Sequence, residues 1–323
     1  MKAYFPDEEQ AVAHYARGDL LAALDAIDTA LALDNTAHAR WIRSNILLSL
    51  GRYEDGFAEW AARSGPGWLT PNGQALMIRL PRWQGEPLGG RRVVLLHEQG
   101  FGDGIMLLRY VAVLERMGAI VTLDVPPELA RLAGQLAPLD RGDAEFCVPL
   151  FDVLTVLGEH PESIPRPPYL APDPALIAAW RQTFGESARR RIGIAWSTRY
   201  DEQCRSIWSE DFVRLLAADD AELVSLQTND RRQAHALGIT VPYCSDFADV
   251  AAVAALMDSI VTVDTAAVHV AGAIGHRDVH LILNTPANWR WWCGSPWYPN
   301  VRLHQQSEPG DWPSAFAHYH ARP

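Results

Sequence analysis

Two short apolar runs do most to limit what this 323-residue chain can fold into: residues 93–96 (VVLL) and 192–196 (IGIAW). A run of that length without polar alternation suits a strand buried on both faces, as in a parallel sheet covered by helices. Each run opens an alternating series. In the first, glycines break the chain at 100–104 and helical spacing follows over 105–117. A strand spans 119–125 and ends at Pro126-Pro127; a helix over 128–136, a strand at 146–148 and a helix near 151–157 complete the series. In the second, helices over 209–218, 250–257 and 265–274 alternate with strands over 222–227, 259–263 and 279–283, and a last helix covers 312–319. The spacing predicts an α/β fold of two Rossmann-like domains facing a cleft.

Residues 8–64 are different. Leu20, Leu21, Leu24, Ile27, Leu31 and Leu33 recur near helical spacing after Gly18. Ile46, Leu47 and Leu50 lead to Gly51, with Phe57 and Trp60 beyond. Gly18 and Gly51 lie 33 positions apart, close to the ~34-residue tetratricopeptide period. About one and a half repeats fit, fewer than the ~3 that a solenoid needs. The segment must therefore pack on the rest of the chain or on a second copy, which makes a homodimer through these helices one expectation. Four divisions follow: a tetratricopeptide-like helical segment over 1–64, a Gly-, Pro- and Trp-rich linker without regular structure over 65–90, and α/β domains over 91–175 and 176–323. The Pro-rich stretch 161–174 marks the crossing between the two domains.

Charge and cysteines exclude several classes. Lys and Arg number 28 against 39 Asp and Glu, a net charge of −11, so no general basic surface exists for nucleic acid. The four cysteines are 57, 40 and 49 residues apart with no C-x-x-C, which suggests neither a zinc site nor a disulfide framework. No apolar stretch reaches the ~18 residues of a membrane span, and the first ten residues lack a signal-peptide core. A cytoplasmic location is expected.

Chemistry concentrates where strands end. Glu98-Gln99-Gly100-Phe101-Gly102-Asp103-Gly104 follows the first buried strand and opens a helix. Gln99, Gly100 and Gly102 form a loop able to approach a substrate, because glycine permits sharp turns and close contact. A dinucleotide fingerprint is disfavoured, since Ile105 stands where a small residue is needed. Asp103 fits two roles, an N-cap or a proton acceptor for a hydroxyl. In Asp264-Thr265-Ala266-Ala267-Val268-His269, the backbone N–H groups of residues 265–267 would face a pyrophosphate, with small side chains leaving room for it. Asp264 or Thr265 equally serves as a cap, and His269 as a core histidine. Trp196-Ser197 ends the first strand of the second series, with Arg199 and Arg205 following it, and a guanidinium there suits phosphate oxygens. Gln227 ends the next strand, where ribose or base contacts lie in such folds. Residues 288–300 hold four of the twelve tryptophans, suited to stacking on a base and equally to filling the space between domains.

Taken in order, HEQGFGDGIMLLRY, RIGIAWS, RSI, VSLQ, VDTAAVHVAGA and WRWW followed by PWYP resemble bacterial tetratricopeptide proteins with a GT-B glycosyltransferase module. That module is similar to heptosyltransferases (glycosyltransferase family 9) and more distantly to O-linked N-acetylglucosamine transferases. The resemblance implies a nucleotide-sugar co-substrate bound by the second domain, a protein or glycan acceptor approached from the first, and no cofactor or metal. By matching motif, Asp103 takes the general-base position, and Thr265, Ala266 and Ala267 the phosphate-cradling turn. Arg205 takes a phosphate-binding position, with Asp264, His269, Ser197 and Gln227 around the donor. Transfer would invert the anomeric carbon. The chain departs from the pattern in the short loop TRYDEQC before Arg205, in Asn288 before WRWW, and in its truncated repeats. The alternative is a non-catalytic binding protein with a degenerate GT-B body.

Overall fold

A computed structural model describes residues 6–62, 69–198, 204–218, 220–227, 231–292 and 294–321. The chain begins with two helical hairpins, α1 (Pro6–Ala16) with α2 (Leu20–Leu33) and α3 (Ala37–Ser49) with α4 (Tyr53–Trp60). Gly18 and Gly51 occupy equivalent turns with φ of 81° and 76°, backbone that glycine alone adopts cheaply. Two helix pairs form where the sequence suggests one and a half. Helix α1 falls within the segment expected to be helical, but its buried apolar residue is the small Ala11, so the sequence does not mark it as completing a repeat. The supposed linker also needs correcting, because Pro71–Arg79 is a helix, α5. Pro71 sits in its first turn, and Thr70 Oγ1 accepts from Gly73 N at 2.9 Å as the cap.

The first α/β unit runs β1 (Arg92–Leu96), α6 (Phe101–Leu107), a 3-10 turn at Leu108–Tyr110, α7 (Val111–Arg116), β2 (Ile120–Asp124), α8 (Pro127–Ala133), β3 (Phe146–Pro149) and α9 (Leu150–Leu157). Its parallel sheet has the order β2-β1-β3, with Val94 level with Thr122 and Cys147. Helix α10 (Pro174–Phe184) leads across; it buries no residue fully, which is why periodicity does not reveal it.

The second unit contains β4 (Arg191–Ala195), α11 (Ser209–Leu216), β5 (Glu222–Ser225), α12 (Arg231–Ala236), α13 (Phe247–Ala254) and β6 (Ser259–Val263). It continues with α14 (Ala266–Ala273), β7 (Val279–Leu283), α15 (Trp289–Trp292), β8 (Val301–Gln305) and α16 (Trp312–His320). All five strands are parallel in the order β5-β4-β6-β7-β8. The order reverses between β4 and β6, and a ligand crevice of an open α/β sheet lies outside the strand ends at such a point. Strand β8, with VRLHQ half exposed, is an edge that the apolar-run criterion misses.

The two units meet along α6 against α14 and α8 against α13. Arg131 of α8 donates to both Asp246 carboxylate oxygens, at 2.9 and 2.8 Å, and to Asp249 at 2.9 Å. The helical hairpins seat on both units at Trp289. Its ring lies 6.0 Å from Phe57, 5.9 Å from Trp60, 6.4 Å from Phe151 and 6.2 Å from Trp297, measured between centroids. One apolar cluster thus joins Leu48, Phe57 and Trp60 to residues of both α/β units. The hairpins thus pack on the rest of the chain through α3 and α4, while Val12, Leu21 and Leu33 of α1 and α2 stay exposed. Because Trp289 is fully buried where three bodies touch, Trp289→Ala should cost about 3–5 kcal/mol in chemical denaturation. Limited proteolysis of that variant should cut within the hairpins first; unchanged protection would show that the hairpins are held elsewhere.

Candidate active site

Helices α6 and α14 begin at the C-terminal ends of β1 and β6, and their first turns face each other across the domain boundary. Gly100 caps α6 with φ −83° and ψ 165°, and its N–H donates to Asp103 Oδ2 at 3.2 Å. The other oxygen, Oδ1, accepts from Arg290 Nη2 of α15. The helix starts at Phe101 and not at Gly104, so Asp103 is not its N-cap but the third helical residue reaching back to Gly100, and it is also half of an interdomain ion pair. Its side chain keeps 17% of its exposure and that of Arg290 11%. The Arg290 guanidinium also lies 4.3 Å from the Trp289 ring centroid, a cation–π contact that fixes it further.

The glycines of this loop serve neighbouring imidazoles. A Cβ on Gly102 would lie 2.6 Å from His269 Cδ2, and one on Gly104 would lie 2.4 Å from His97 Nδ1. Gln99 adopts φ 66° at the end of the strand, a left-handed conformation in a non-glycine residue. Asp124, at the end of β2, is engaged by Thr70 and by Asn72 Nδ2 at 2.8 Å.

On the second unit, Thr265 caps α14, its Oγ1 accepting from Ala267 N at 3.2 Å. Arg205 Nη1 donates to Asp264 Oδ2 at 3.1 Å and to its carbonyl at 3.2 Å. Burial would raise the Asp264 carboxyl, but Arg205 and the neighbouring His269 outweigh it and hold it below the usual range. Ser197 and Gln227 meet each other. Gln227 Oε1 accepts from Trp196 N at 2.9 Å and Ser197 N at 3.2 Å, while its Nε2 donates to Ser197 Oγ at 3.2 Å. Asp103 and His269 thus converge on the α6–α14 junction, with Arg205, Asp264 and Thr265 at the end of β6. Ser197 and Gln227 brace the neighbouring strand end, and Arg199 lies outside the described residues.

Three residues that carry this junction were not singled out in the sequence. Arg290 is one. Arg109 is another, a buried guanidinium donating to the carbonyls of Met106, Pro165 and Trp297 at 2.7, 2.9 and 3.0 Å. Tyr169, from the Pro-rich crossing, is the third. The tryptophan-rich segment fills the interface: Trp289, Trp291 and Trp297 are at most 2% exposed, so base stacking on them is not what this arrangement offers.

His269 is 4% exposed, and burial pushes its pKa down from 6.5 to about 4, with Asp264 and Asp103 opposing the shift. Burial lowers His97 as well. The unfolded chain then takes up protons near pH 6.5 that the folded chain refuses, so stability is complete above pH 6.5 and falls towards pH 4. For His269 alone the loss is on the order of 3 kcal/mol. Urea titrations should show His269→Gln flattening the decline between pH 6.5 and 4; an unaltered slope would place the acid sensitivity elsewhere. Gly102→Ala should destabilise by about 1–3 kcal/mol in the same assay at pH 7, because its methyl meets the His269 ring.

No family model matches the chain. Protein FlbA of Caulobacter vibrioides is 26% identical to it over 362 aligned residues, which cover 96% of this chain and 59% of FlbA. The chain thus spans about three fifths of the length of that curated relative. The glycosyl transferase family 9 protein of Veillonella parvula superposes with a TM-score of 0.53 over 69% of this chain and 88% of its own, at 12% identity. E. coli ADP-heptose lps heptosyltransferase II gives a TM-score of 0.48 over 66% of this chain and 89% of its own, also at 12% identity. The family 9 likeness, together with the two parallel sheets, identifies the architecture as GT-B. No helix among the described residues is long and apolar enough to cross a membrane.

Proposed function

We propose that this chain is a glycosyltransferase that moves a sugar from a nucleotide-sugar to a hydroxyl of a protein or glycan acceptor. The observation that carries the reading is the placing of one carboxylate, Asp103, against a guanidinium, Arg290, at a junction of two helix starts. That junction adjoins the reversal point of the second sheet. The family 9 fold likeness is consistent with it.

In this reading the donor diphosphate lies at the start of α14, met by Arg205 and the helix N–H groups. Arg290 exchanges its carboxylate partner for the diphosphate, which frees Asp103. Asp103 then takes the proton of the acceptor hydroxyl as that oxygen attacks the anomeric carbon from the face opposite the diphosphate. The bond between the anomeric carbon and the diphosphate oxygen breaks, and its electron pair leaves with the nucleoside diphosphate. Configuration inverts. The cationic groups stabilise the departing charge in the role that a metal fills in other transferases.

A second reading rests on one observation: both oxygens of Asp103 are already engaged, by Gly100 N–H and by Arg290. A body kept in that state would bind a partner without catalysis. The test is a thermal-shift panel of UDP-, GDP-, ADP- and dTDP-sugars with and without EDTA, followed by release of the nucleoside diphosphate. Saturation at 100 times Kd should stabilise by about 2.7 kcal/mol. Asp103→Asn should keep donor binding and lower turnover by roughly 10²–10⁴-fold. Stable protein that responds to none of the donors would favour the non-catalytic reading.

A further inference from the structure

A chain of hydrogen bonds runs from the domain crossing to His269, and its protons can be placed one by one. Tyr169 Oη lies 3.0 Å from the Ile105 carbonyl and 3.4 Å from that of Met106. Carbonyl oxygens only accept, so the Tyr169 proton points to them. Its oxygen is then an acceptor, and Arg109 Nη2 donates to it at 3.3 Å. Tyr298 Oη is 3.1 Å from the same oxygen and must donate there. With its proton committed, Tyr298 has only lone pairs for His269 Nδ1, 3.2 Å away. His269 must therefore carry its hydrogen on Nδ1.

The surroundings hold this order. Tyr298 is fully buried, and its ring lies where a Cβ on Gly272 would come within 2.3 Å. Gly272 therefore lets the tyrosine lie against α14, beside the histidine one turn earlier. Trp291 stacks on Tyr298 at 6.1 Å and tilts against His269 at 5.5 Å. The charged groups about the ring are Asp264, Asp103, Arg290 and Arg109, from both α/β units. The opposite ring edge, carrying Nε2, faces the first turn of α6, where a Cβ on Gly102 would be 3.1 Å from that nitrogen.

We propose that Tyr298, oriented by Tyr169 and Arg109, locks His269 in the Nδ1–H tautomer, so that its bare Nε2 accepts a hydroxyl hydrogen from the bound sugar beside Gly102. This rests on the transferase reading and refines it. A lone pair repels phosphate oxygens, so His269 recognises the sugar and not the diphosphate. Tyr298 and Tyr169 are positioning residues. Their hydroxyls act only through the imidazole, as outer partners fix the tautomer of a functional histidine elsewhere.

The test has two readouts. Long-range proton–nitrogen correlation of imidazole-labelled protein should show Nδ1–H for His269 in the wild type at pH 7. Tyr298→Phe should bring in Nε2–H, and Tyr169→Phe, which leaves the Tyr298 proton free to turn, should give a mixture. An Nε2–H signal in the wild type, or no change in either variant, overturns the lock. The second readout compares Kd for UDP-glucose with that for UDP, and likewise for GDP-, ADP- and dTDP-glucose against their free diphosphates. In Tyr298→Phe the sugar-linked ligand should weaken about tenfold, one good hydrogen bond, with the free diphosphate unchanged. Equal weakening of both would place His269 on the diphosphate and overturn the sugar contact. Wild-type protein that binds none of these ligands defeats the transferase reading and the sugar contact together, while the tautomer signal still decides the lock.

Discussion

Two adjacent side chains on a four-residue helix hold this molecule together. Trp289 of α15 points into the aromatic joint where the hairpins and both α/β units meet, and Arg290 reaches Asp103 on the far unit. The guanidinium lies over its neighbour's indole, so the apolar and ionic contacts constrain each other. Such a pair is only modestly favourable against well-packed apolar substitutes, because both charges are taken out of water. What it supplies is discrimination. Losing either partner leaves an uncompensated charge in the interface, so the units are held in one register and not a family of similar ones.

That register explains the glycines at the strand end. Gly102 and Gly104 are small because two buried imidazoles lie against them, one from each unit. Flexibility is not the property in use at either position, since both have ordinary helical surroundings within α6. The same holds for Gly272, whose missing side chain is the space taken by Tyr298. Close approach across the boundary therefore depends on Gly102, while Gly104 and Gly272 make room for a ring within their own units.

Much of the fold is legible in the sequence because parallel strands buried on both faces leave continuous apolar runs, as in 93–96 and 259–263. What escaped notice has shallow or mixed burial. Helix α10 buries nothing fully, β8 alternates with Arg302 and His304 at an edge, and α5 lies inside a stretch dominated by Gly and Pro. The site divides similarly. Asp103, Asp264, Thr265 and His269 stand at strand–helix junctions, which local pattern marks. Arg290, 187 residues from Asp103, and Tyr169, 129 from Tyr298, join the site only through tertiary folding, and nothing in their own neighbourhoods announces it. The tryptophans of 288–300 were visible as a cluster, but whether they faced a ligand or a neighbouring domain was decided by packing alone.

On the proposed reading, the engaged state of Asp103 is a consequence of charge balance and not an obstacle to it. A carboxylate and a guanidinium at a partly desolvated junction stay together until one is offered a better partner. A diphosphate brings more negative charge than a carboxylate and can be held by two guanidiniums, Arg205 and Arg290, with helix N–H groups behind them. Its arrival would give Arg290 a new anionic partner as it leaves the old one, so the exchange costs less than breaking the Asp103–Arg290 pair outright. The freed carboxylate would then be the uncompensated group, and an acceptor hydroxyl is the partner it lacks. Donor binding would thereby prepare the base before the acceptor arrives. A single guanidinium shared between the two charges is enough to impose that order.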